Sequence, residues 1–146
     1  MSTATQMNLL DPAVNGEGDG CAVFVVDDYP WIGELIAMGL NGLGCHTSIA
    51  TNGEEAREEI LRRGSAHVDL LIVELEIPGL EGKALAEWFL HENPKGQVIL
   101  MSSFPFAVRP LHRMAFLRKP FDHDELLTKV NERLAASRRC GTPVSS

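Results

Sequence analysis

Cysteine is scarce in this chain, and its three copies, Cys21, Cys45 and Cys140, are an odd number at wide spacing without a Cys-x-x-Cys pair. That suggests neither a disulfide framework nor a zinc site, and it suits a reducing cytoplasm. Positive charge is short as well: 13 Lys and Arg stand against 20 Asp and Glu, a formal charge of −7. A nucleic-acid surface draws on Lys and Arg to neutralise phosphates, so none is expected, and protein partners or small cations are. No apolar run approaches the ~18 residues of a membrane span, and the first residues lack a basic stretch followed by an apolar one. No membrane association is expected. The five histidines, His46, His67, His91, His112 and His123, are scattered without metal-ligand spacing.

What is present suffices for one domain with a sizeable core: 146 residues at 45% hydrophobic content. Residues 1–20 mix Ser, Thr, Asn, Asp, Gly and Pro and read as a flexible lead, and residues 137–146 as a flexible tail, leaving 21–136 as the folded unit. Within it, buried strands are expected at Ala22 to Val26, Cys45 to Ile49, Leu70 to Val73, Val98 to Met101 and before Lys119. Between them Ile32, Leu35, Ile36, Leu40 and Leu43 recur at helical spacing. Asn52-Gly53 opens a charged helix to Arg63, Leu85, Trp88 and Phe89 share a face, and Asp122 caps a final helix bearing Leu126, Leu127, Val130 and Leu134. Strands alternating with helices predict an α/β, flavodoxin-like (βα)5 doubly wound parallel sheet of strand order 2-1-3-4-5. Between Ser102 and Lys119 two prolines, Pro105 and Pro110, and a short stretch predict a helix 4 that is short or irregular.

The polar residues that end these strands are the informative ones. Asp27-Asp28 closes the first, Glu74 the third, Ser102 the fourth, and Lys119 precedes Pro120-Phe121 after the fifth. Ligand sites of parallel α/β sheets lie outside the carboxyl ends of the strands, so these groups are expected in one crevice. Three acids, a hydroxyl and a lysine there describe a magnesium and phosphoryl pocket.

The set resembles the receiver domain of two-component response regulators, from about Ala22 to Leu134. The resemblance implies that Asp27 and Asp28 hold a metal, with the backbone carbonyl of Glu76 as a further ligand. Ser102 and Phe116 stand at the switch positions, and Lys119 in Lys119-Pro120-Phe121 is the counter-charge. It implies phosphorelay signalling with a histidine kinase or a downstream signalling protein as partner, as a monomer or weak homodimer, with no enzymatic turnover; at 146 residues a receiver plus an output domain is not expected. One position departs, because the phosphoacceptor aspartate of the family is here Glu74.

Glu74 admits three readings. Its carboxylate lies one methylene farther out than that of aspartate, about 1.5 Å of added reach, which displaces the attacking oxygen and argues against phosphorylation in the usual way. It is otherwise a fixed stand-in for the phosphorylated state, reaching Lys119 or Ser102, or part of a silent pocket on a scaffold used for protein binding alone. Weak magnesium binding is expected in either case. The rival class is a metal-dependent phosphohydrolase using Asp27 as nucleophile; the chain has no room for the cap insertions such enzymes carry. Gly39 to Gly44 reads as a helix end with a turn and not a phosphate loop, and Trp31 as local packing at a helix start.

Overall fold

A computed structural model of the chain describes residues 20–77, 80–104 and 112–137. Five strands, β1 (Cys21–Val26), β2 (Cys45–Ala50), β3 (Leu70–Glu74), β4 (Gln97–Ser102) and β5 (Met114–Arg118), form one sheet in the order β2-β1-β3-β4-β5. Every pairing is parallel. Four helices are present among the described residues: α1 (Pro30–Asn41), α2 (Gly53–Arg63), α3 (Gly82–Glu92) and α4 (His123–Ala136). A 3-10 turn, Ser65–His67, leads into β3. The fold is the expected flavodoxin-like one. The short or irregular helix expected between β4 and β5 falls mostly on residues 105–111, outside the described residues, as do the Pro78-Gly79 turn and most of the lead and tail.

Local sequence explains why the helices start where they do. Pro30 opens α1 with its fixed backbone angle. The Asn52 side chain accepts the Glu55 N–H at 2.8 Å to cap α2. Asp122 and Glu125 form a reciprocal capping box at the start of α4, with bonds of 2.8 and 3.0 Å.

Side chains alternate across the sheet and divide the core in two. Phe24, Val26, Leu71, Val73, Val98 and Leu100 face α2 and α3. Val23, Val25, Leu70, Ile72, Ile99, Met101 and Leu117 face α1 and α4. The strand residues are almost wholly removed from solvent, as a parallel sheet covered on both sides requires. On α1 the sequence periodicity is broader than the core: Ile36 and Leu40 are buried, whereas Leu35 is exposed together with Trp31 and Met38.

Candidate functional site

The strand alternation that divides the core also places the site. Asp27 continues the Val23, Val25 row of β1, Glu74 the Leu70, Ile72 row of β3, and Lys119 follows Leu117 at the end of β5. All three therefore leave the carboxyl edge of the sheet on the α1/α4 side. Ser102 continues the Val98, Leu100 row instead. Leu100 pairs with Phe116, so Ser102 and Phe116 share the opposite side.

Lys119 joins the two acids. Its Nζ lies 2.7 Å from Asp27 Oδ2 and 2.5 Å from Glu74 Oε1. Asp27 is fully buried and Glu74 nearly so. The second oxygen of Asp27 accepts the Tyr29 N–H at 2.9 Å, and the second oxygen of Glu74 faces the Glu76 N–H at 3.4 Å. Ser102 is buried, and its hydroxyl oxygen accepts the Phe104 N–H at 3.1 Å. Asp28 and Glu76 are exposed at the edge of this group. Gly82, the first residue of α3, fixes the Glu74 backbone: a Cβ there would stand 2.1 Å from the Glu74 carbonyl oxygen, so only glycine lets α3 start this close to β3.

Burial raises the pKa of Glu74 above its ordinary value of 4.5, against the hydrogen bond and charge of Lys119, because it shares that ammonium with Asp27, whose charge adds to the rise. For Lys119, burial alone would lower the pKa, but the hydrogen bonds to Asp27 and Glu74 more than reverse this and raise it. The lysine is thus held as an ammonium between two carboxylates.

The oxygen chemistry suits magnesium, a hard cation, but Lys119 competes with it for the acids. Both oxygens of Asp27 are engaged, the cation between Asp27 and Glu74 is Lys119, and among the described residues no group of three or more His, Cys, Asp or Glu is placed to hold a metal ion. The phosphohydrolase alternative finds no support here: Asp27 is buried, and its two oxygens accept from the Tyr29 N–H and the Lys119 ammonium.

The sequence brought Asp27, Glu74, Lys119 and Ser102 to one edge and the structure places them there. It gave no sign of the Tyr29 and Phe104 amides that hold the Asp27 and Ser102 side chains, because backbone donors carry no residue signature. It also missed the exposed stripe of Trp31, Leu35 and Met38 on α1, although the i, i+4, i+7 spacing was readable.

Residues 23–131 match the response regulator receiver domain family. The chain is 32% identical over 118 residues to the DNA-binding transcriptional regulator NtrC of Escherichia coli K12, covering 77% of this chain and 24% of that protein. It is 29% identical over 133 residues to the transcriptional regulatory protein ZraR of Klebsiella oxytoca, covering 88% and 29%. The chain thus spans about a quarter of the length of these relatives. Among solved structures, it is similar to a receiver domain protein of Bacillus halodurans C-125 (26% identity, TM-score 0.65, 78% and 97% of the two chains). The signal receiver domain of an HD domain-containing protein of Pseudomonas fluorescens Pf-5 matches in fold at 23% identity and TM-score 0.72, over 82% of this chain and 98% of that one.

Proposed function

The chain belongs to the response regulator receiver domain family of two-component signal transduction, and from that premise we propose that it acts as an atypical receiver, not phosphorylated in the usual way, whose output runs through protein contacts. Receiver domains are generally non-enzymatic, interact with histidine kinases and effector domains, and commonly hold Mg2+ at the acceptor site. In this reading the folded receiver unit is 21–136, it has no enzymatic turnover, and it works in the cytoplasm as a monomer or weak homodimer. Its partner is a histidine kinase or a downstream signalling protein, with no direct contact to nucleic acid or membrane. Among the described residues no helix is long and apolar enough to cross a membrane.

The observation that carries the reading is the 2.5 Å contact between Glu74 Oε1 and Lys119 Nζ. The lysine expected to receive phosphoryl oxygens is occupied by the Glu74 carboxyl group at the acceptor position. Phosphoryl transfer relies on positioning and charge more than on covalent chemistry, so a displaced and already paired carboxylate is a poor acceptor. Ser102 and Phe116 keep the switch roles. Asp27, Asp28 and the Glu76 carbonyl keep the metal role, but weakly, because magnesium must compete with Lys119 for Asp27. The exposed Trp31, Leu35 and Met38 on α1 support the protein-contact part of the reading, since contiguous apolar surface marks interaction sites.

The test is acetyl phosphate with magnesium, followed by intact-mass spectrometry. The wild-type chain is expected to stay unmodified and Glu74→Asp to gain one phosphoryl group, since shortening the side chain frees Lys119 and returns the oxygen toward the attack position. A stable phosphoryl group mapped to Glu74 in the wild type overturns the reading. Glu74→Gln separates its two forms: weakened partner binding identifies Glu74 as a stand-in for the phosphorylated state, and unchanged binding identifies a silent pocket.

A further inference from the structure

At the opposite, amino-terminal edge of the sheet, β1 and β2 begin side by side. Cys21 and Cys45 are Cα partners at the first rung of this parallel pair. Residues paired across parallel strands project to the same face, and both cysteines belong to the apolar layer under α1 and α4, Cys45 buried and Cys21 half-buried at its margin. Neighbouring strands run about 4.8 Å apart, inside the roughly 4.4–6.8 Å Cα separation of disulfides.

A disulfide also requires the two Cβ atoms to approach to about 3.5–4.5 Å, which asks for some freedom in the backbone. Each cysteine follows a glycine. Gly44 has φ +75, and a Cβ built on Gly20 would lie 3.2 Å from the Gly44 carbonyl oxygen, so the two Gly-Cys dipeptides already lie against one another. Glycine's wider range of backbone angles lets both strand starts adjust without disturbing the rungs above them.

We propose that Cys21 and Cys45 are a reversible redox dithiol, converted to an intramolecular disulfide by a peroxide. The more accessible Cys21 thiolate attacks one peroxide oxygen; the O–O bond breaks, hydroxide leaves and Cys21 becomes a sulfenic acid. The Cys45 thiolate then attacks the Cys21 sulfur; the S–O bond breaks and the leaving hydroxide departs as water. With hydrogen peroxide, the two thiol protons together with the two hydrogens and two oxygens of the peroxide end as two water molecules. The peroxide is reduced and the thiols are oxidised. A dithiol reductant reverses the change by thiol–disulfide exchange. The bond closes the chain around α1 and ties the edge strand β2 to β1 at its first residue.

The experiment uses the full chain carrying Cys140→Ser, treated with stoichiometric hydrogen peroxide under native conditions, then alkylated, unfolded and analysed without reduction. The expected result is a monomer that has lost two hydrogen atoms, with the peptide bearing Cys21 joined to the peptide bearing Cys45, and full reversal by dithiothreitol. Cys21→Ser and Cys45→Ala, each added separately, abolish the loss, and in Cys45→Ala the accessible Cys21 thiol gains oxygen instead. If circular dichroism shows that Cys45→Ala does not fold, Cys21→Ser at its half-buried site carries the same comparison. The proposal is overturned if Cys21 takes up oxygen while Cys45 is still alkylated after unfolding, if the link forms between two chains, or if it forms only in denaturant. In the chain that keeps Cys140, a bridge from Cys140 to either cysteine in place of the Cys21–Cys45 bond overturns it equally.

Discussion

At the carboxyl edge of the sheet, buried charge meets buried charge: Lys119 bridges Asp27 and Glu74. At the amino-terminal edge, the polar groups mostly bind backbone instead, although Arg133 also donates to the Gln97 side chain at 3.1 Å. Asp69 Oδ2 accepts the Ala22 N–H at 2.8 Å, Asn93 donates to the Ser65 and Val68 carbonyls at 2.8 and 2.7 Å, and Arg113 donates to the Leu90, Asn93 and Gly96 carbonyls at 2.8, 2.8 and 2.6 Å. The same five strands thus end in two kinds of polar edge. Side chains bonded to backbone satisfy groups that the fold itself leaves open, and they have one best arrangement. Side chains bonded to one another can be re-paired by a ligand or a partner without unravelling a helix or a strand. The first kind of edge is suited to holding the fold and the second to signalling.

The sharpest way to break this comparison is to remove Lys119. Lys119→Met leaves Asp27 and Glu74 buried side by side with no cation, and removing one partner of a buried ion pair costs about 3–5 kcal/mol. Urea denaturation at neutral pH is expected to show a loss in that range. Magnesium should raise the Tm of Lys119→Met more than that of the wild type, since the metal then has no lysine to displace. A loss below about 1 kcal/mol, the value of a surface pair, would mean that the carboxyl edge does not depend on its internal cation.

Next in size is the amino-terminal edge. Arg113→Met removes three charged hydrogen bonds from carbonyls at the end of α3 and the start of β4. The expected cost is about 2–3 kcal/mol, as hydrogen bonds to charged groups are the strong ones. Arg113→Lys should recover little, because an ammonium cannot present a planar fork to three separate carbonyls. If lysine restores full stability, charge alone suffices there and the two edges differ less than their geometry indicates.

The carboxyl edge was the more legible of the two in the sequence. Asp27, Glu74, Ser102 and Lys119 each interrupt or follow an apolar run, and the parallel sheet then fixes where they meet. The strand order was legible for the same reason, since alternating strands and helices leave few topologies. Nothing in the spacing of Arg113 or Asn93 announced the clamp, because their partners are carbonyl oxygens that every residue owns. The Cys21 and Cys45 pairing was equally hidden: 24 positions separate them, and only the register of β1 with β2 makes them neighbours. The Gly82 contact with Glu74 needed the third dimension too, since a glycine at a helix start has many possible causes.

The smallest effect sharpens the comparison within the carboxyl edge, and it is a slope with pH. The folded pKa of Glu74 is raised, first by burial and further by the charge of Asp27, with Lys119 opposing. A carboxyl group whose pKa is higher in the folded state contributes stability that is fully present below its unfolded value and lost as pH rises through the folded value. Glu74→Gln has no such titration. Lys119, whose pKa is raised above 10.5, stays an ammonium throughout this range in the wild type. The stability of Glu74→Gln minus that of the wild type should therefore increase as pH rises above about 4.5, the ordinary glutamate value, whatever constant offset the lost ion pair adds. Thermal melts of the two proteins at matched ionic strength read this difference directly. A difference that falls over the same interval would mean that Lys119 outweighs burial, that Glu74 is bound as firmly as the backbone clamps below, and that the pair is part of the framework.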